Sequence, residues 1–307
     1  MKKRHIFIFW LVGMVLMTAC GKEESMETNS TVTEIESTIL YETEEAADGK
    51  TAVGSDALNS RQEETTAEPT EEPTEEPATL ERLLKIALLP VGDTMYIWGG
   101  GWNEEDTGAG PGAVTLGVCP KWAEFAALQD ENYNYKEHRY EILKGLDCSG
   151  YVGWVVYNLF EKESGKEGYV FKSTETAAKY SELGWGQLLE APTEFLAGDI
   201  VSMKGHVWIC LGMCEDGSVV LVHASPPGVS VCGTAPAEGG KSQAVELAKN
   251  YMEKYYPNWQ EKYPDREVGL KYVTDVSVMR WNEETLSDAK VLQEMSAKEV
   301  LKLLFEE

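Results

Sequence analysis

Basic side chains and histidines are scarce in this 307-residue chain. Lysine and arginine together number 27 against 52 aspartates and glutamates, for a net charge of −25. Nucleic-acid binding is driven by phosphate neutralisation, so this deficit argues against a nucleic-acid partner. Long apolar runs are missing too. The N-terminal stretch from Ile6 to Leu16 falls short of the ~20 apolar residues that a membrane span takes. No His-Glu-x-x-His or comparable paired zinc-ligand motif occurs. Residues 79–307 contain no repeats. With four histidines in all, His5, His138, His206 and His223, the choice of a general base is narrow.

What is present at the N-terminus reads as an export signal. Lys2-Lys3-Arg4 precedes the apolar run, and Met17-Thr18-Ala19-Cys20-Gly21 has the form of a lipobox. Residues 1–19 are then a signal peptide, with Cys20 the acylated residue that starts the mature chain. A single membrane anchor is the alternative, and the short run disfavours it. Residues 21–78 hold 17 acidic and 3 basic side chains, including the repetitive Glu68-Pro69-Thr70-Glu71-Glu72-Pro73-Thr74-Glu75-Glu76-Pro77. High like charge with little apolar surface predicts a disordered spacer over 20–78, or else a solubilising tail. Residues 79–307 keep a net charge of −14 once the +3 of the signal and the −14 of the linker are set aside. They are long enough for one domain with a sizeable core.

Within that domain the apolar periodicity predicts an entry helix over Thr79 to Ala87 and further helices near 120–129, 149–162, 173–183, 241–256 and 296–305. The last carries a capping box, Ser296 with Glu299. Strands are expected near 199–203, 206–213, 218–224, 229–232 and 273–280. Helices around a strand-rich middle predict an α+β fold with a largely antiparallel sheet.

Cys148 carries the chemistry. It lies in Gly145-Leu146-Asp147-Cys148-Ser149-Gly150, directly ahead of Tyr151-Val152-Gly153-Trp154-Val155-Val156. That puts a thiol in the first turn of a helix, with Asp147 as N-cap. Helix N–H groups and the dipole favour a thiolate there, by about 1 kcal/mol, which is under one pKa unit. A working nucleophile therefore also needs a histidine. His206 opens one strand and His223 closes the next, with Cys214-Glu215-Asp216-Gly217 as the hairpin turn between them. A turn centred near 215 or 216 sets His206 opposite residue 224 or 225, within two positions of His223. Cross-strand neighbours of that kind lie about 4.5–8 Å apart. One imidazole can then serve the thiol while the other orients it.

These residues fall into a known order. Tyr96-Ile97-Trp98-Gly99-Gly100, Asp147-Cys148-Ser149-Gly150, Gly198-Asp199-Ile200-Val201, Gly205-His206-Val207 and His223-Ala224-Ser225 resemble the motif series of the NlpC-type cell-wall cysteine peptidases. The resemblance spans roughly residues 80–235. It implies a papain-like core in which the nucleophile-bearing helix packs on an antiparallel sheet carrying the histidines. Cys148 would be the nucleophile, His206 the base and His223 the orienting residue. Tyr96, Asp147 and Ser149 would line the substrate site. The chain would be a cysteine hydrolase without cofactor or metal, acting as a monomer on peptidoglycan stem peptides. It would face the wall from a membrane it meets through Cys20. The family's usual bond is the one between D-glutamate and the following diamino acid. Amidase cleavage between muramic acid and the first alanine, and a non-catalytic wall-binding lipoprotein, are the alternatives.

Two segments depart from the family pattern: insertions near 101–145 and 233–275. The first is expected to border the substrate groove. His138 lies there in a polar stretch, Tyr133-Asn134-Tyr135-Lys136-Glu137-His138-Arg139, and reads as an exposed loop histidine. Trp98, Trp102, Tyr133, Tyr135 and Tyr140 can stack on sugar rings, but such aromatic density is more often packing. Cys148, His206 and His223 as a zinc set is chemically allowed and lacks a motif. Cys119, Cys210, Cys214 and Cys232 permit two disulfides in an exported protein, while strand positions for Cys210 and Cys232 favour free thiols.

Overall fold

The computed structural model describes residues 77–160 and 167–306. The export signal, the lipobox with Cys20 and the acidic linker as far as residue 76 lie outside the described residues. The chain enters through α1 (Leu80–Leu88), where the Thr79 Oγ1 accepts the Arg82 N–H at 3.1 Å as an N-cap. Then follow β1 (Met95–Tyr96), α2 (Pro120–Ala127), β2 (Gly145–Leu146), α3 (Cys148–Phe160) and α4 (Thr176–Glu182). The strand-rich middle is β3 (Gly186–Glu190), β4 (Ile200–Met203), β5 (His206–Met213), β6 (Val219–Ser225) and β7 (Gly228–Thr234). After it come α5 (Gln243–Tyr255), α6 (Pro257–Lys262), β8 (Glu267–Val268), β9 (Ser277–Trp281), α7 (Ala289–Gln293) and α8 (Ala297–Phe305). Ser296 and Glu299 form the expected capping box at α8.

The strands make one sheet in the order β2-β1-β7-β6-β5-β4-β9-β3, with β8 added beside β7. Every pairing is antiparallel except β1–β2 and β7–β8. The fold is therefore α+β with a mostly antiparallel sheet. Its centre matches the expected strands closely. Its margins differ: β3 pairs with β9, some ninety residues later, so no local turn signal announces it.

Alternation along the central strands builds two cores. Val207, Ile209 and Leu211 of β5, with Val220 and Val222 of β6, face α3 and share its apolar cluster. The helix is buried nearly all round, as its run of Tyr151, Val152, Trp154, Val155 and Val156 demands. Trp208 and Cys210 point to the other face, where Leu221, Cys232, Val278 and Tyr272 close a smaller cluster. His206 and His223 share the parity of this second face. The described cysteines Cys119, Cys148, Cys210, Cys214 and Cys232 are all free and buried.

Asp199 explains part of the Gly198-Asp199 pair. Its fully buried carboxylate receives Arg280 Nε at 2.9 Å and Nη2 at 2.7 Å, tying β4 to β9. Gly198 adopts φ +83, and a Cβ there would sit 2.2 Å from Leu80 Cδ1.

Candidate active site

Three local devices set the position of the thiol. The Asp147 Oδ1 accepts the Gly150 N–H at 2.7 Å, which is the N-cap bond read from the sequence. It also receives the Ser149 hydroxyl at 3.0 Å, while Oδ2 receives the Gly99 N–H at 3.1 Å. Ser149 Oγ in turn accepts the Trp102 indole N–H at 3.1 Å. Finally, Gly101 and Gly150 meet backbone to backbone, so that a Cβ on Gly101 would lie 2.2 Å from Gly150 Cα. Gly150 of the Asp-Cys-Ser-Gly motif and Gly101, directly after the Trp-Gly-Gly motif, thus make one contact, which fastens the start of α3 to the segment after Trp98.

The histidines come together as the hairpin arithmetic predicts. Ile209 faces Val222; extending that register by the same sum sets Ser225 opposite His206 and makes His223 its diagonal neighbour. His206 Nε2 lies 2.9 Å from His223 Nδ1. A bulge between Cys210 and Gly212 shifts the far end of the pair without disturbing this end. Cys148 reaches the same corner, where the Val207 N–H is near enough to pull on its thiol beside the N–H of Ser149 and its own.

A cleft of about 220 Å³ opens over Cys148, Asp147 and Ser149 and is walled by Tyr96, Trp98 and Trp102. A neighbouring hollow of about 200 Å³ shares Tyr96 and Trp98 and contains His206, Tyr135, Lys271 and Tyr272. Tyr96 and Trp98 border both hollows, so Cys148, Asp147 and Ser149 on one side and His206 on the other line adjoining space, with His223 touching His206 from outside it. Tyr272 is the residue that sequence reasoning missed. Its ring centroid is 5.3 Å from that of His206 and 5.7 Å from that of His223, roofing both imidazoles. It arrives from the second insertion, and no motif marks it. The segment 101–145 contributes Trp102, Asp106 and Tyr135 to the walls. Its Tyr133 hydroxyl also donates to the Tyr96 carbonyl at 2.7 Å.

The electrostatics favour neutral partners. Burial, with the Asp147 charge second, pushes the Cys148 thiol up to about 12, against the pull of the Val207 and Ser149 N–H groups. Burial and then Lys271 pull His206 down to about 4. Burial, His206 and Arg266 hold His223 well below the usual imidazole range. Burial lifts Asp147 itself to about 6 in spite of its three hydrogen bonds. The expected push of the helix start toward thiolate is present but outweighed.

His138 takes no part. It is half-buried rather than exposed, stacked on Tyr133 at 5.4 Å and bonded through Nδ1 to Glu141 at 2.8 Å. Among the described residues, no group of three or more His, Cys, Asp or Glu is placed to hold a metal ion. No family model, curated protein or solved structure matches the chain.

Proposed function

We propose that the protein is a cysteine hydrolase of papain-like plan, tethered through a lipid on Cys20, that cleaves peptidoglycan stem peptides outside the membrane. The observation that carries the reading is the 2.9 Å contact of His206 Nε2 with His223 Nδ1, next to Val207, whose N–H acts on the Cys148 thiol. With Nε2 turned to His223, the Nδ1 of His206 is left for the thiol.

The reaction starts from a neutral pair. The Cys148 sulfur attacks the scissile carbonyl as His206 takes its proton, so charge forms only in the transition state. The N–H groups at the start of α3 are the nearest donors for the oxyanion. His206 then protonates the leaving amine and later deprotonates the water that opens the thioester. His223 fixes the tautomer of His206 but, being an imidazole, offers the imidazolium less charge stabilisation than a carboxylate would. The bond assigned is the link from D-glutamate to the diamino acid, on the strength of the motif resemblance.

The burial of Cys148, 7% exposed, favours a second reading, a wall-binding protein without turnover. Digestion of defined muropeptides by residues 79–307, followed by product masses, decides among the readings. A disaccharide carrying an alanyl-glutamate dipeptide is expected from wild type and not from folded Cys148→Ala. Free disaccharide with an intact stem peptide establishes the amidase, and no product from wild type establishes the binding role.

A further inference from the structure

The largest of the cavities beside the histidine pair, about 380 Å³, is lined by His223 but by neither His206 nor Cys148. Tyr272 and Ser225 divide it from the hollow that holds His206. Ser230, which faces His223 across the β6–β7 ladder, and Cys232 line its floor. Arg266 reaches it from the second insertion. The residue is 4% exposed, and its Nη2 donates to the Tyr263 carbonyl. Its Nε and Nη1 are buried with no nitrogen or oxygen partner, the Cys232 thiol being the group that lies beside them. A buried arginine whose remaining donors meet at best a thiol is under-satisfied, and a fork of two N–H groups is the geometry that takes a carboxylate.

His223 adds a third donor. For His206 to accept the thiol proton at Nδ1, its Nε2 must carry hydrogen and donate to His223 Nδ1. Neutral His223 then holds its own proton on Nε2, the edge left for the cavity. The donors thus outnumber the acceptors there. Glu131, Asp265 and Glu267 stand at the rim, but all three are exposed and screened by solvent. Lys262 is engaged with the Gln129 carbonyl at 2.5 Å.

We propose that this cavity is a carboxylate site, in which Arg266 and His223 together hold an acid borne on a group about the size of one amino acid. Its volume exceeds what a bare ion needs. The acid comes either from the leaving fragment of the substrate or from a free amino-acid-like product. In both cases it neutralises Arg266, accepts the His223 Nε2–H and makes His206 a stronger base. The binding site stands by itself, while its effect on turnover rests on the hydrolase reading. Arg266 is thereby a binding and positioning residue.

N-acetylglycine and N-acetylglycinamide are the probes, the second a neutral match for the first. Histidine NMR titration of the Cys148→Ala protein needs no turnover. The acid should raise the thermal midpoint and move the His206–His223 titration up by about one pH unit or more, and the amide should do neither. Arg266→Gln should abolish both responses, with circular dichroism reporting its folding. Equal responses to acid and amide, or none to either in the intact cavity, overturn the site. So does a titration that moves on Asp265→Asn or Glu267→Gln alone, since an internal carboxylate would then be the acceptor. With active protein, a substrate whose leaving fragment is amidated should lose kcat/KM, and N-acetylglycine should restore it only if the free acid is the source. A positive titration with an inert Cys148 would keep the site and sink the hydrolase reading.

Discussion

At Cys148 two effects of opposite sign compete. The helix start is worth about 1 kcal/mol to a thiolate, whereas burial beside Asp147 lifts the thiol to about 12. Alkylation of Cys148 by chloroacetamide should therefore keep rising about tenfold per pH unit from pH 6 through pH 9. A plateau by pH 7 would mean a preformed thiolate. His206 shifts the other way. An imidazole held near 4 stays neutral, and competent to take a proton, at every pH above that value. The acid limb of kcat/KM should then lie near 4 rather than at the ordinary 6.5. A limb at 6.5 would remove His206 as a base of this kind. His206→Ala should cost hydrolysis about as much as Cys148→Ala, on the order of 10³-fold or more, and His223→Ala roughly tenfold to a hundredfold. Cys148, His206 and His223 were legible because helix and hairpin periods convert spacing into position. Tyr272 and Arg266 were not, because a long segment with no period delivers them.

Among the elements, the tie between β4 and β9 has the clearest energetic consequence. Arg280→Ala leaves the Asp199 carboxylate unpaired in a site with no exposure, and urea denaturation should show a loss of about 3–5 kcal/mol. A loss under 1 kcal/mol would mean that water reaches Asp199. In the sequence Gly198-Asp199 was a piece of the motif series with no role assigned, and in the structure its chemistry is architectural. Its partner lies eighty-one residues away, beyond any local pattern. The β5–β6 hairpin was readable because a single turn sets its register. Gly150→Ala belongs at this scale too. A Cβ there meets Gly101 Cα at 2.5 Å, and the added methyl should cost about 1–3 kcal/mol in the same assay. A neutral outcome would show that the two segments can part without loss.

For the molecule as a whole, the segments 101–145 and 233–275 turn a helix-on-sheet frame into a walled cleft. One brings Trp102, Asp106 and Tyr135, and the other brings Lys271 and Tyr272. The sequence offered an expectation for the first wall only; where the second would stand was open, since loop length says nothing of the direction a loop folds back. Asp147 joins the first wall to the frame, for its two carboxylate oxygens hold an amide on either side of the junction, Gly99 and Gly150. Those two amides, forty-eight and three residues away along the chain, can reach solvent only when the same carboxylate lets go. Deuterium should accordingly enter both with a common protection factor, a single latch timed by one opening event. Asp147→Asn, which cannot accept on both oxygens' sites, should split the pair by tenfold or more. Unequal protection in wild type would mean that the wall swings free of the nucleophile.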